Sequence, residues 1–223
     1  MFCFHCQEAA NNEYCYVQGV CGKNEALAHL QDMLVYALKG LAFVANEARS
    51  LGHVEDDTDL FVAHGLFATL TNVTFDEQKL FDLISEALAR RDDLRGVFYG
   101  LYDQRHGAPY TGVMPEMATW YAVNGTIEEF ECKGKTVGIM MDPDLDEDVR
   151  SLRELLVYGL KGLAAYTEHV AMLDIHRSDL LAFLQETLAY TVSPDLTVDG
   201  LVAKALACGE MGVEVMAALD AAH

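Results

Sequence analysis

Residues 30–48 read LQDMLVYALKGLAFVANEA, and residues 152–170 read LRELLVYGLKGLAAYTEHV. The two stretches align without a gap at an offset of 122, and nine of the 19 positions are identical, including Leu38-Lys39-Gly40-Leu41-Ala42 against Leu160-Lys161-Gly162-Leu163-Ala164. That density of matches exceeds what shared composition produces, so the chain carries two copies of one unit. Downstream, Phe61 and Leu66 fall opposite Phe183 and Leu188. After one extra residue, Thr74-Phe75-Asp76 falls opposite Thr197-Val198-Asp199.

The unit is helical. Leu27, Leu30, Leu34, Leu38, Leu41 and Ala45 recur at steps of three and four, the period of a helix with one buried face. Asn24 is placed to cap its start and Gly52 its end. A second apolar run covers roughly Thr58 to Leu70, and Thr74 with Glu77 has the form of a capping box for a third helix carrying Leu80, Leu83, Ile84 and Leu88. The second copy repeats the plan, with Asp146, Ser178 and Thr197 as the three caps. The expected fold is therefore all-α: two similar three-helix bundles, over 24–104 and 148–223. Residues 1–23 form a loop ahead of them. Residues 105–147 form a connector, in which Phe130, Cys132, Val137 and Ile139 alternate around Lys133-Gly134 and predict a short hairpin. No Ser/Gly-rich linker separates the copies, which points to one rigid body. The Lys39-Gly40 and Lys161-Gly162 pairs are read as packing devices, glycine admitting a neighbouring backbone and lysine snorkelling from the same face, with a ligand contact as the alternative.

The chain has 223 residues, 15 Lys and Arg against 35 Asp and Glu, and a formal charge of −20. Such a surface repels nucleic-acid phosphates and anionic bilayers, so neither is an expected partner. Docking to a basic redox partner is the specific alternative to a merely solvated acidic face. The start of the chain lacks the basic and apolar regions of a secretory signal, and no uncharged apolar run is long enough to span a bilayer, so a cytoplasmic location is expected.

Four of the six cysteines crowd into the first 21 residues, as Cys3-x2-Cys6-x8-Cys15-x5-Cys21, while Cys132 and Cys208 stand alone. Four thiolates at loop-like spacing form a complete ligand set for one metal centre, and each must lose its proton to bind. A [4Fe–4S] cubane takes four cysteines, the first two commonly two residues apart. A structural Zn²⁺ takes the same four, although zinc sites usually pair two short knuckles. Both assignments stand on spacing alone, beside disulfides or free thiols. The histidines, among them His64, His169 and His176, form no metal-binding or metalloprotease pattern. Tyr99, Tyr102, Tyr110, Trp120 and Tyr121 gather near the connector and are read as core aromatics, with an interface or an electron path as the alternative.

Four stretches together resemble the N-terminal domain of the hybrid cluster protein family, also called hydroxylamine reductases or prismane proteins. They are Met1-Phe2-Cys3-Phe4-His5-Cys6-Gln7-Glu8, Gly19-Val20-Cys21-Gly22-Lys23, the segment from Leu30-Gln31-Asp32 to Leu38-Lys39-Gly40, and Glu147 to Leu156. The resemblance covers essentially the whole chain. It implies one [4Fe–4S] cluster on Cys3, Cys6, Cys15 and Cys21, electron transfer as the chemistry, and a family reaction of hydroxylamine or nitrogen-oxide reduction. It also implies two further domains that supply the His, Glu and Cys ligands of a hybrid cluster. Those ligands are not in this sequence, so no catalytic residue is assigned. A truncated or split reductase that needs a partner chain is the corresponding alternative, and a structural zinc scaffold is the other. Surfaces facing the missing domains are expected to be apolar, and self-association is one way to cover them. His5 stands where the family more usually has Gln, either tuning a cluster through a hydrogen bond or lying exposed.

Overall fold

The computed structural model describes residues 1–6, 8, 15–142 and 144–222. Gln7 of the N-terminal motif, positions 9–14 of the cysteine loop, Pro143 and His223 lie outside the described residues.

The chain is all-α. Eight helices run in order among the described residues: α1 (Glu25–Ser50), α2 (Asp56–Ala68), α3 (Glu77–His106), α4 (Glu116–Thr119), α5 (Ile127–Val137), α6 (Glu147–Met172), α7 (Ser178–Tyr190) and α8 (Val198–Ala221). The repeat is visible in their bounds. α1 and α6 are both 26 residues long and α2 and α7 both 13, and α6 and α7 each begin 122 residues after their counterparts.

Local chemistry sets the ends. The Asn24 side chain accepts from Leu27 N–H, that of Asp146 from Asp148 and Val149 N–H, and that of Thr197 from Gly200 N–H, as their positions predict. Two caps differ. α3 is capped by Asp76, whose carboxylate accepts from Gln78 and Lys79 N–H at 2.9 and 3.2 Å, and not by Thr74. An aspartate directly ahead of the first turn satisfies two orphan amides and adds favourable charge at the positive helix end, so it outcompetes the threonine two residues earlier. At α7 the helix already includes Ser178, and the flanking Arg177 makes no side-chain cap.

The predicted hairpin is a helix. Thr126 caps α5 by accepting from Glu129 N–H, while the Glu129 carboxylate accepts from Val123, Asn124 and Gly125 N–H at 2.6, 2.8 and 2.9 Å. This Thr-x-x-Glu arrangement starts a helix, and the apolar residues then follow its period: Phe130 and Gly134 face inward and Cys132 faces outward. Gly134, read as a turn residue, lies inside the helix because α5 rides close on α1; a Cβ there would sit 2.0 Å from the His29 carbonyl oxygen.

Each copy's long first helix packs along its own third helix, α1 on α3 and α6 on α8. The short middle helices do otherwise. α2 lies more extensively against α6 than against α1, and α7 more extensively against α1 than against α6. His64 on α2 reaches Glu168 on α6 at 2.9 Å, Phe67 meets His169 edge-on, and Arg49 on α1 donates to Gln185 on α7 at 3.4 Å. One apolar cluster consequently runs through both copies, from Leu30, Leu34 and Leu38 to Leu156, Leu160 and Leu184. α1 is the one helix among the described residues long and apolar enough to cross a membrane, and 78% of its apolar window is buried within the fold. Its hydropathy is that of a core helix.

Candidate metal centre

The N-terminal loop packs against the start of α1. Cys3 and Cys15 are both buried and form a small cluster with Ala28, with Phe2 against them; Phe2 N–H donates to the Cys15 carbonyl at 3.0 Å. Cys6 and Cys21 are half-buried, and all six cysteines are free thiols. Around Cys21 the backbone closes a tight turn, Gly22 N–H to Gly19 O at 2.8 Å and Gly19 N–H to Lys23 O at 2.7 Å, with Gly22 at φ +94°. That left-handed conformation is why glycine follows the last cysteine.

Burial pushes the Cys3 thiol up, while a hydrogen bond from the His5 backbone and the nearby Lys23 ammonium pull it the other way. Lys23 is almost fully buried and donates to Gln31 Oε1 on α1. A thiol held up by burial, with the Lys23 ammonium drawing it down and Asp32 and Cys15 opposing, loses its proton when a metal centre brings further positive charge. Among the described residues no three His, Cys, Asp or Glu side chains converge on a single-ion site. A cubane makes a different demand, since each thiolate binds its own iron at a separate corner. The donor set of four thiols, two of them buried in one small cluster, fits that group.

Behind the loop lies a buried polar network. His5 is 4% exposed, so the alternative of an exposed imidazole does not hold. Its Nδ1 lies 2.9 Å from Lys161 Nζ, and its Nε2 lies 3.1 Å from Asp32 Oδ1, off the line of a good hydrogen bond. Burial and the adjacent ammonium both lower the His5 pKa, against the pull of Asp32. A neutral ring accepting at Nδ1 and carrying its proton on Nε2 fits both neighbours. Lys161 is itself 4% exposed, and burial drives its pKa down to about 8. It does not snorkel as the sequence predicts, because the loop closes over it. Lys39 is likewise lowered by burial, and its Nζ is 4.0 Å from Glu154 Oε1, which accepts from Arg153 Nε at 2.9 Å.

These partners obey the repeat. Lys39 and Lys161 are equivalent at the offset of 122, and so are Asp32 and Glu154. The lysine of each copy faces the acid of the other, the reciprocal pattern of a two-fold contact. Cys6, His5 and both lysines border a cavity of about 730 Å³ between the copies. Asp32, Glu154, Lys23 and Gln31 carry no motif of their own. The signal that could have found the first two was the recurrence of an acid seven residues before each repeated lysine. Cys132 is exposed on α5, and Cys208 is buried on α8 against Gly159.

The profile of the Prismane/CO dehydrogenase family matches residues 1–223. The hydroxylamine reductase of Halothermothrix orenii is 45% identical over 223 residues, that of Petrotoga mobilis 44%, and that of Nitratidesulfovibrio vulgaris 46%. In each case all of this chain is matched, but it spans only 40%, 41% and 39% of the relative.

Proposed function

Because the chain belongs to the Prismane/CO dehydrogenase family, we propose that it is the electron-transfer part of a hydroxylamine reductase, with one [4Fe–4S] cluster held by Cys3, Cys6, Cys15 and Cys21. The observation that supports this best is the pairing of buried Cys3 and Cys15 beside the Lys23 ammonium, with Cys6 and Cys21 half-buried at the rim. When bound, the cluster supplies one-electron transfer with little change of shape.

The chain's own residues exclude water, supply charge and orient the loop. Phe2 and Ala28 pack against two thiols, and the turn at Gly19 and Gly22 fixes the last. The buried lysines offset part of the −20 formal charge close to the loop, where an added electron is otherwise repelled. Reduction of hydroxylamine or a related nitrogen oxide belongs, in this reading, to the further polypeptide that the longer relatives possess, with electrons delivered by a separate redox protein.

Anaerobically purified chain should be brown, with iron and acid-labile sulfide in equal amounts and an EPR signal that changes on reduction. Zinc without sulfide would overturn the assignment. Reduced chain alone should show no sustained hydroxylamine turnover; steady turnover would show that the reactive centre is complete in these residues.

A further inference from the structure

The two copies are not covered alike. On α1, His29, Met33, Tyr36, Gly40 and Val44 succeed one another along one face, and all are buried. The connector covers them. Gly134 of α5 sits over the His29 carbonyl, Trp120 meets Tyr36 edge-on at 6.3 Å, and the Met117 carbonyl rests on Gly40, where a Cβ would lie 2.1 Å from its oxygen. The equivalent face of α6 is Ser151, Leu155, Tyr158, Gly162 and Tyr166. There Leu155 is 57% exposed, Tyr158 and Tyr166 are 42% exposed, and nothing lies within 4 Å of a Cβ at Gly162. A glycine inside a helix is disfavoured by about 1 kcal/mol relative to alanine. Gly40 has a neighbour that explains it, and Gly162 has none here.

α8 differs from α3 at the matching place. α3 holds the connector through buried Arg91, which donates to the Met117 and Trp120 carbonyls at 2.8 and 2.6 Å, and through Arg95, which donates to the Ala118 carbonyl at 2.5 Å. In the structure the caps Asp76 and Thr197 are equivalent, a register two residues from the Asp76–Asp199 match read in the sequence, and it pairs buried Leu80, Ala87 and Leu94 with buried Leu201, Cys208 and Val215; in it these arginines correspond to Gly212 and Met216. Gly212 also has no neighbour, and Met216 and Val213 are 54% and 69% exposed. On α8 these positions are apolar and carry no side-chain donor to replace the two arginines.

We propose that the α6–α8 face of the second copy is a docking surface for the polypeptide that, in the longer hydroxylamine reductases, succeeds the part matched by this chain. The proposal rests on the reading of the chain as one part of such an enzyme. Two observations select the occupant. The chain spans only about 40% of those relatives, so a large polypeptide remains to be seated. In the first copy the cover over α1 and α3 is the segment immediately after the third helix, and the same order in the second copy assigns the cover to polypeptide beyond α8. Its chemistry is set by α8: an apolar helical turn with its own backbone hydrogen bonds complete, approaching closely enough to need glycine at 162.

The test is to co-express this chain with the remaining polypeptide of the Nitratidesulfovibrio vulgaris hydroxylamine reductase and to map exposed side chains by hydroxyl-radical footprinting. In the chain alone, Leu155, Tyr158 and Tyr166 should be oxidised readily and Met33 and Tyr36 spared. In the complex, oxidation of the first three should fall severalfold. Gly162→Leu should leave the lone chain folded, since the space is open, and should abolish co-purification. Equal labelling of Tyr158 with and without the partner, a complex indifferent to Gly162→Leu, or failure of any complex to form overturns the proposal. So does protection in concentrated chain alone, which would assign the face to a second copy. Iron and sulfide content read on the same samples separates the two hypotheses: a brown chain with a fully labelled face fails docking only, and a protected face on iron-free chain fails the cluster assignment only.

Discussion

Alanine at Gly40 and alanine at Gly162 should move stability in opposite directions, although the two glycines are equivalent in the repeat. In a helix interior the replacement is worth roughly 1 kcal/mol in alanine's favour. At Gly162 no heavy atom beyond its chain neighbours and its own helix backbone lies within 4 Å of the new methyl, so the gain is kept. At Gly40 the methyl would sit 2.1 Å from the Met117 carbonyl oxygen and 2.7 Å from its carbon. That carbonyl is backbone, pinned at 2.8 Å by buried Arg91, and cannot swing aside as a side-chain tip could. Overpacking typically costs about 1–3 kcal/mol, and loosening a hydrogen bond to a charged donor adds about 1.5–3 kcal/mol. The net loss should be about 2 kcal/mol or more, some 3 kcal/mol apart from Gly162→Ala. For a chain of this size about 1 kcal/mol shifts Tm by roughly 2–4 °C. Anaerobic thermal unfolding followed by circular dichroism reads the difference, and the single tryptophan, Trp120, reports displacement of α4. Equal shifts at the two sites, or a destabilised Gly162→Ala, would refute the reasoning.

Serine at Cys3, Cys6, Cys15 or Cys21 should each abolish or sharply lower iron and sulfide, whereas Cys132→Ser, at an exposed thiol, should leave both unchanged; retention of full iron by all four loop variants sinks the ligand assignment. Arg91→Met removes a fully buried guanidinium from two carbonyls and should cost about 3 kcal/mol in urea unfolding with a red shift of Trp120 emission, and an unshifted spectrum counts against its role as the clamp on α4. Lys161 titrates near 8 when folded, against about 10.4 in an unfolded chain, so between those values the unfolded state binds more protons and stability rises with pH. Below about 8 the burial penalty is present in full, and Lys161→Met should remove the rise, at most about 3 kcal/mol. Parallel unfolding profiles of the two proteins from pH 7.5 to 10 would contradict this. His5, Asp32, Lys23, Glu154 and Lys39 surround Lys161 in both, so only the difference is diagnostic.

The helices α1 and α6 are legible because an identical apolar period recurs at a fixed offset, and their caps are legible because Asn24, Asp146 and Thr197 directly precede the helices they start. The connector misleads for a definite reason. Alternation at Phe130, Cys132, Val137 and Ile139 is four residues' worth of pattern, while the Thr126 to Glu129 capping box that decides the helix is polar and invisible to a hydrophobic count. The crowding of Cys3, Cys6, Cys15 and Cys21, the proposed ligands, is plain from their spacing. The network behind it is not, since Lys23 and Asp32 look like surface charges until the loop folds down over them, and the pairing of Lys161 with His5 joins residues 156 positions apart. The exchange of the middle helices is equally hidden, because periodicity shows which face of α2 is apolar and not which long helix receives it.

That exchange has a consequence for biosynthesis. When residues 1–106 have left the ribosome, α2 has yet to meet α6, and α1 lacks α7, so the first half waits with its apolar sides uncovered until the second half is translated. Assembly of this helical chain is thus governed by distant contacts, as in slow-folding proteins, and the nascent half is a natural client for a holding chaperone.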